Sequence, residues 1–161
     1  MPARAYFPGD FQIPPLHGCP QGLNEKAMKI LVIEDSWFLR LAIEKVLQKC
    51  GHEVTGAADG QTGLRAAHTE SPQLILLDMM LPALDGTGVL KELKKDPSTA
   101  TIPVIVLTSL WQVNEEKLKS AGAAAYLEKS ALNLDRDADV LIQAVEEVAG
   151  ARSAGTSRSA R

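Results

Sequence analysis

Five short apolar runs, each followed by a segment with helical spacing, constrain this chain more than any other feature. Lys29-Ile30-Leu31-Val32-Ile33 is strand-sized and ends in two acids. Leu39, Ile43, Val46, Leu47 and Cys50 then recur at the spacing of one helix face, and Gly51 stops that helix. His52 to Ala57 reads as a weaker strand, and Asp59 to Thr69 as a helix capped by Asp59. Leu74-Ile75-Leu76-Leu77 is the most apolar run and ends at Asp78. Gly88 to Lys95 reads as a helix closed by Asp96-Pro97, and Ile102 to Leu107 as a β-branched strand. Val113 to Ala121 is a helix with Gly122 behind it, and Ala124 to Leu127 is the last strand. Val140, Leu141, Ala144, Val145 and Val148 form the stripe of a final helix.

Strict alternation predicts parallel strands joined by right-handed helical crossovers. Continuously apolar strands predict a sheet covered on both faces. The expected fold class is α/β, a flavodoxin-like three-layer (βα)5 sandwich. Counted from Lys29, its five parallel strands take the order 2-1-3-4-5. In such folds chemistry sits beyond the carboxyl ends of the strands, near the point where the strand order reverses.

The flanks differ from this centre. Residues 1–27 carry Pro2, Pro8, Pro14, Pro15 and Pro20 with Gly9, Gly18 and Gly22, too many breakers for a regular period. They are read as a disordered extension, 28–149 as the domain, and 150–161, rich in Gly, Ala, Ser and Arg, as a disordered tail. The net charge of −3 and the lack of a dense Lys/Arg patch disfavour direct nucleic-acid binding. No apolar run approaches membrane-spanning length and no signal peptide is visible, so a cytoplasmic location is expected. Of two cysteines, Cys50 reads as a core filler and Cys19 as a free exposed thiol.

At the strand ends stand Glu34-Asp35, Asp78, Thr108-Ser109 and Lys129. Each has an ordinary reading: acids start helices, Thr108 is a β-branched strand residue, Lys129 a solvated charge and Tyr126 a core aromatic. Brought into one crevice, three carboxylates repel one another. Mg²⁺, which prefers hard oxygen ligands and often binds one or two carboxylates with a phosphate, relieves that repulsion. Together with one lysine it brings the group to neutrality. Such a site suits phosphoryl transfer, with a carboxylate as nucleophile.

The segments Ile30-Leu31-Val32-Ile33-Glu34-Asp35-Ser36, Leu76-Leu77-Asp78-Met79-Met80-Leu81-Pro82 with Asp85-Gly86, Val104-Ile105-Val106-Leu107-Thr108-Ser109, and Tyr126-Leu127-Glu128-Lys129 resemble the receiver domains of two-component response regulators. The likeness covers about residues 28–149. It implies that Asp78 is the phosphoacceptor, served by a sensor histidine kinase or a phosphotransfer protein. It implies that Asp35 binds Mg²⁺ directly, Glu34 largely through water, and Met80 through its backbone carbonyl. Lys129 would contact the phosphoryl oxygens, Thr108 would move to hydrogen-bond them, and Tyr126 would turn inward in response. The readout surface would be the fourth helix, the fifth strand and the fifth helix.

Three features depart from the family pattern. Lys129 is followed by Ser130 where the family usually has a cis proline. Met80 and Leu110 are apolar at positions that tune attack of water on the phosphoryl group, which predicts slow dephosphorylation. Trp37 and Trp111 flank the site; ordinary packing is the plainer reading of Trp37. With few residues after the last helix, signalling through protein contact is expected rather than catalysis of an external reaction. A receiver-like module that is never phosphorylated is the alternative. An aspartyl-nucleophile phosphatase is disfavoured because Met80 replaces the usual second Asp, and a flavin carrier because Glu34-Asp35 would repel a phosphate.

Overall fold

Side chains alternate across a strand, so an uninterrupted apolar run must be covered on both sides. The computed structural model describes residues 5–6, 27–109, 115–132 and 138–156 and meets this requirement with one sheet between two helical layers. The strands are β1 (Ala5–Tyr6), β2 (Lys29–Ile33), β3 (Glu53–Ala57), β4 (Leu74–Asp78), β5 (Val104–Thr108) and β6 (Ala125–Glu128). The helices are α1 (Trp37–Lys49), α2 (Gly60–Thr69), α3 (Gly86–Lys95), α4 (Glu115–Ser120) and α5 (Asp139–Thr156), with a 3-10 turn at Lys129–Ala131.

The sheet order is β1-β6-β5-β4-β2-β3, and β2 to β6 pair in parallel. Counted from Lys29, this is the expected order 2-1-3-4-5. Period-two alternation divides the core. Ile30, Val32, Leu74, Leu76, Ile105 and Leu107 face Ile43 and Leu47 of α1 and Leu141, Ala144 and Val145 of α5. Leu31, Ile33, Ile75, Leu77, Val104 and Val106 face Ala67 of α2, Val89, Leu90 and Leu93 of α3, and Leu118 of α4. Every residue of β4 and β5 is buried, which explains why those runs carry no polar alternation.

Caps set the helix starts. Ser36, Asp59 and Asp85 sit at the N-termini of α1, α2 and α3, and their side chains accept from the backbone N–H of Leu39, Thr62 and Gly88. α1 ends where Gly51 takes a φ of 87°, letting its N–H reach the Gln48 carbonyl at 2.9 Å while His52 N–H reaches Leu47 at 3.1 Å.

Three features differ from the sequence reading. Ala5–Tyr6 pairs antiparallel with β6, although 1–27 showed no strand period. A two-residue strand draws its stability from the edge it joins, not from its own pattern. α5 runs through Gly150 to Thr156, where a disordered tail was expected. Adding residues to a formed helix avoids the nucleation cost, and Ala149, Ala151, Arg152 and Ala154 are helix formers. Cys50, read as a core filler, is half-buried and disulfide-bonded; the chain's other cysteine, Cys19, lies outside the described residues. His52 is half-buried and accepts from the Met28 N–H at 3.3 Å, and burial lowers its pKa. The fourth helix is described only over Glu115–Ser120; Leu110, Trp111 and Val113 lie outside the described residues.

Two left-handed positions make a paired test. Gly51→Ala places a Cβ at φ 87° and should cost about 1–2 kcal/mol. Ala83, exposed in the β4–α3 loop, already sits at φ 64°, so Ala83→Gly should be neutral or stabilising by under about 1 kcal/mol. Urea midpoints at unchanged m-value check both signs.

Candidate functional site

β2 and β4 are neighbours in the sheet but lead to helices on opposite faces, so the strand order reverses between them. Their register pairs Ile33 with Leu77. The next residues, Glu34 and Asp78, therefore emerge side by side at the carboxyl edge. Both are 0% exposed. Asp35, one residue further on, is exposed at the mouth. Carboxylate oxygens of Glu34, Asp35 and Asp78 lie within 4.8 Å of one another.

Lys129 enters from the end of β6. Its Nζ lies 2.8 Å from Glu34 Oε2 and 2.8 Å from Asp78 Oδ2. The Lys129–Ser130 peptide is trans, and the lysine nevertheless points inward. Both contacts are charge-assisted pairs, and both engage carboxylate oxygens that are wholly removed from water. The remaining oxygens are held by backbone: Ser36 N–H donates to Glu34 Oε1 at 3.2 Å, and Met80 N–H donates to Asp78 Oδ1 at 3.0 Å.

Burial raises the Glu34 pKa from 4.5 to about 7; the Lys129 contact works against this, and the Asp78 charge adds to it. Burial works to lower the Lys129 pKa, but its contacts with Asp78 and Glu34 outweigh that and hold it above its ordinary value. One ammonium thus faces three carboxylates, an excess of negative charge. Hard oxygen donors, a shortage of positive charge and an open side at Asp35 fit a hydrated divalent cation such as Mg²⁺.

The other expected residues gather on the same edge. Thr108 ends β5, buried at 1% exposure and in register with Glu128. Tyr126 already lies inward, 7% exposed, in the cluster that holds Leu118 and Val106. Met80 is 57% exposed beside the crevice. Trp37 does not pack into the core: it is 67% exposed, with Phe38 at 68%, because α1 begins at the rim of the sheet. Their rings meet edge to face at 6.2 Å.

Two supporting residues carried no chemical signal in the sequence. Arg40, one turn into α1, donates from Nη1 to the Glu34 carbonyl at 2.6 Å and fixes the strand end. Gly86 starts α3 so close to β4 that a Cβ there would overlap the Asp78 carbonyl and the Met79 Cα. Its N–H reaches the Met79 carbonyl at 3.1 Å. The Asp85-Gly86 pair was visible in the sequence; its steric reason was not.

The family model "Response regulator receiver domain" matches residues 30–146, and the chain belongs to that family of two-component signalling proteins. Among curated relatives, "Protein PilH" of Pseudomonas aeruginosa is 35% identical over 102 residues, 63% of this chain and 84% of that protein. "Probable transcriptional regulator ycf27" of Cyanophora paradoxa is 44% identical over 91 residues, 56% of this chain and 36% of that one. The chain thus spans about a third of the length of several curated relatives that it matches. Chemotaxis response regulator CheY4 of Vibrio cholerae superposes with a TM-score of 0.68 at 25% identity, covering 76% of this chain and 99% of that one. The receiver domain of sensor histidine kinase PA1611 from Pseudomonas aeruginosa, solved with a magnesium ion in its active-site cleft, gives 0.68 at 29% identity, covering 78% and 99%. Receiver domains are signalling switches. Among the described residues no helix is long and apolar enough to cross a membrane.

The raised Glu34 pKa has a testable sign. Between about 4.5 and 7 the folded chain keeps a proton that the unfolded chain has lost. Without metal, this contribution is therefore full below pH 4.5 and is lost as pH rises towards 7. Urea midpoints of wild type minus Glu34→Gln should fall across that window; a difference that rises contradicts the assignment.

Proposed function

We propose that this protein is a phosphorylation-controlled switch that takes a phosphoryl group on Asp78 and signals through protein contacts. The observation that carries the reading is the pairing of two fully buried carboxylates with one inward lysine and an exposed third carboxylate at the switch point of the sheet. The phosphodonor is a phosphohistidine on a sensor histidine kinase or phosphotransfer protein. An oxygen of Asp78 bonds to phosphorus as the phosphorus–nitrogen bond breaks and its electron pair returns to the imidazole.

Glu34, Asp35, Asp78 and the Met80 carbonyl would hold Mg²⁺, which supplies charge neutralisation for the transferring group. Met80 N–H orients the Asp78 carboxylate by its hydrogen bond to Oδ1. Lys129 stands where it can exchange part of its contact with Asp78 for the phosphoryl oxygens. Exposed Trp37, Phe38 and Met80 give the rim an apolar surface on which a donor protein can dock.

The added charge, about −1.5 to −2, draws the Thr108 hydroxyl and the Lys129 ammonium. Tyr126 shares its strand with the backbone leading to Lys129, so movement at Thr108 and Lys129 biases the α4–β6–α5 surface. That surface is the proposed contact for a downstream protein, with no direct nucleic-acid or membrane role and a cytoplasmic location. The match over most of Protein PilH supports a regulator built of a receiver alone. The chain acts as a switch, not as an enzyme of external substrates.

Transfer of radiolabelled phosphate from a phosphohistidine donor domain tests this reading. Wild type should take the label, and Asp78→Asn should take none. Lys129→Ala should slow transfer at least about tenfold, a loss of roughly 1.4 kcal/mol in transition-state stabilisation. Label on Asp78→Asn equal to wild type would sink the proposal. The exposed Met80 side chain has no group that orients a water, so the acyl phosphate should persist for many minutes after donor removal. Loss within seconds would show that another group orients the water.

A further inference from the structure

We propose that the outer edge of β6 is a strand-docking surface, and that residues Ala5–Tyr6 of this same chain are its resident occupant. β6 pairs in parallel with β5 on one side, so alternate peptide groups of Ala125–Glu128 turn away from β5. On that side stands β1, antiparallel, with Ala5 in register with Leu127 and Tyr6 with Tyr126. Of two successive residues in a strand, one directs its N–H and C=O to the outer side. Tyr126 and Leu127 are 7% and 0% exposed. With β1 in place both residues are shielded from water, and the outward peptide groups of β6 have β1 as their backbone neighbour.

β1 and β2 are separated in the sheet by β6, β5 and β4. The strand is covalently part of the same chain, which keeps it at high effective concentration beside its edge. Two residues offer few hydrogen bonds against the entropy of ordering the segment, so the cap is exchangeable. The edge it covers lies in the α4–β6–α5 surface. A partner that adds an extended strand there must first displace Ala5–Tyr6.

Amide hydrogen exchange under non-reducing conditions tests this without reference to phosphorylation. Three proteins are compared: the full chain, a truncation lacking residues 1–10, and a full-length Ala5→Pro/Tyr6→Pro variant, which removes both strand N–H donors. In the truncation and the variant, alternate amides within Ala125–Glu128 should exchange at least about tenfold faster, while those facing β5 keep their protection. A synthetic peptide of residues 1–12, added to the truncation, should restore protection at those same alternate amides and do so saturably. Unchanged exchange in both altered proteins overturns the proposal. So does a peptide that restores nothing, or a loss of protection spread evenly over β5 and β6.

Discussion

Two carboxylates buried side by side with one ammonium between them set the terms for the rest of this molecule. Glu34 and Asp78 are wholly removed from water, and Lys129 lies at 2.8 Å from each. An uncompensated buried charge is strongly destabilising, and a pair is tolerated only when its geometry and remaining lone pairs are served. Lys129 serves two carboxylates at once, and burial with the neighbouring Asp78 charge leaves Glu34 holding its proton up to about pH 7 despite that contact. A structure of this kind is incomplete for stability and ready for a cation and an anion in turn. That readiness is what a phosphoryl-accepting switch needs.

The fold makes the cluster possible. Parallel strands end together, and only at the reversal between β2 and β4 do adjacent strand ends open into a crevice not covered by their own crossovers. Small devices then hold the carboxylates still. Arg40 secures the Glu34 carbonyl, Ser36 both caps α1 and donates its N–H to Glu34, and Gly86 lets α3 start against the backbone of Asp78 and Met79. The cost of burying charge is met by apolar strands β2, β4 and β5, whose side chains are closed on both faces.

Much of this is legible in the amino-acid sequence. Apolar runs ending in Glu34-Asp35, Asp78 and Thr108 placed the acids on one edge, because continuous apolar strands read as buried parallel strands. Gly51 and Asp59 marked helix ends through backbone chemistry that needs no tertiary context. What escaped depended on tertiary partners. Ala5–Tyr6 becomes a strand only because β6 offers an open edge, and α5 reaches Thr156 because a helix already docked can be extended. Trp37 looked like packing until its place at the sheet rim left it exposed, and Arg40 has no motif because its role is to reach a backbone carbonyl. The Cys50 disulfide likewise carried no signal in residue spacing.

The central claim is that this cluster, once loaded with a divalent cation, makes Asp78 the acceptor of a phosphoryl group. Its most direct measurement is peptide mapping by mass spectrometry after incubation with a small acyl phosphate donor, with Mg²⁺ present or chelated. The account predicts one phosphoryl group, on the peptide containing Asp78, formed with Mg²⁺ and essentially absent without it. Equal labelling in chelator, or a phosphoryl group on any other residue, would contradict it.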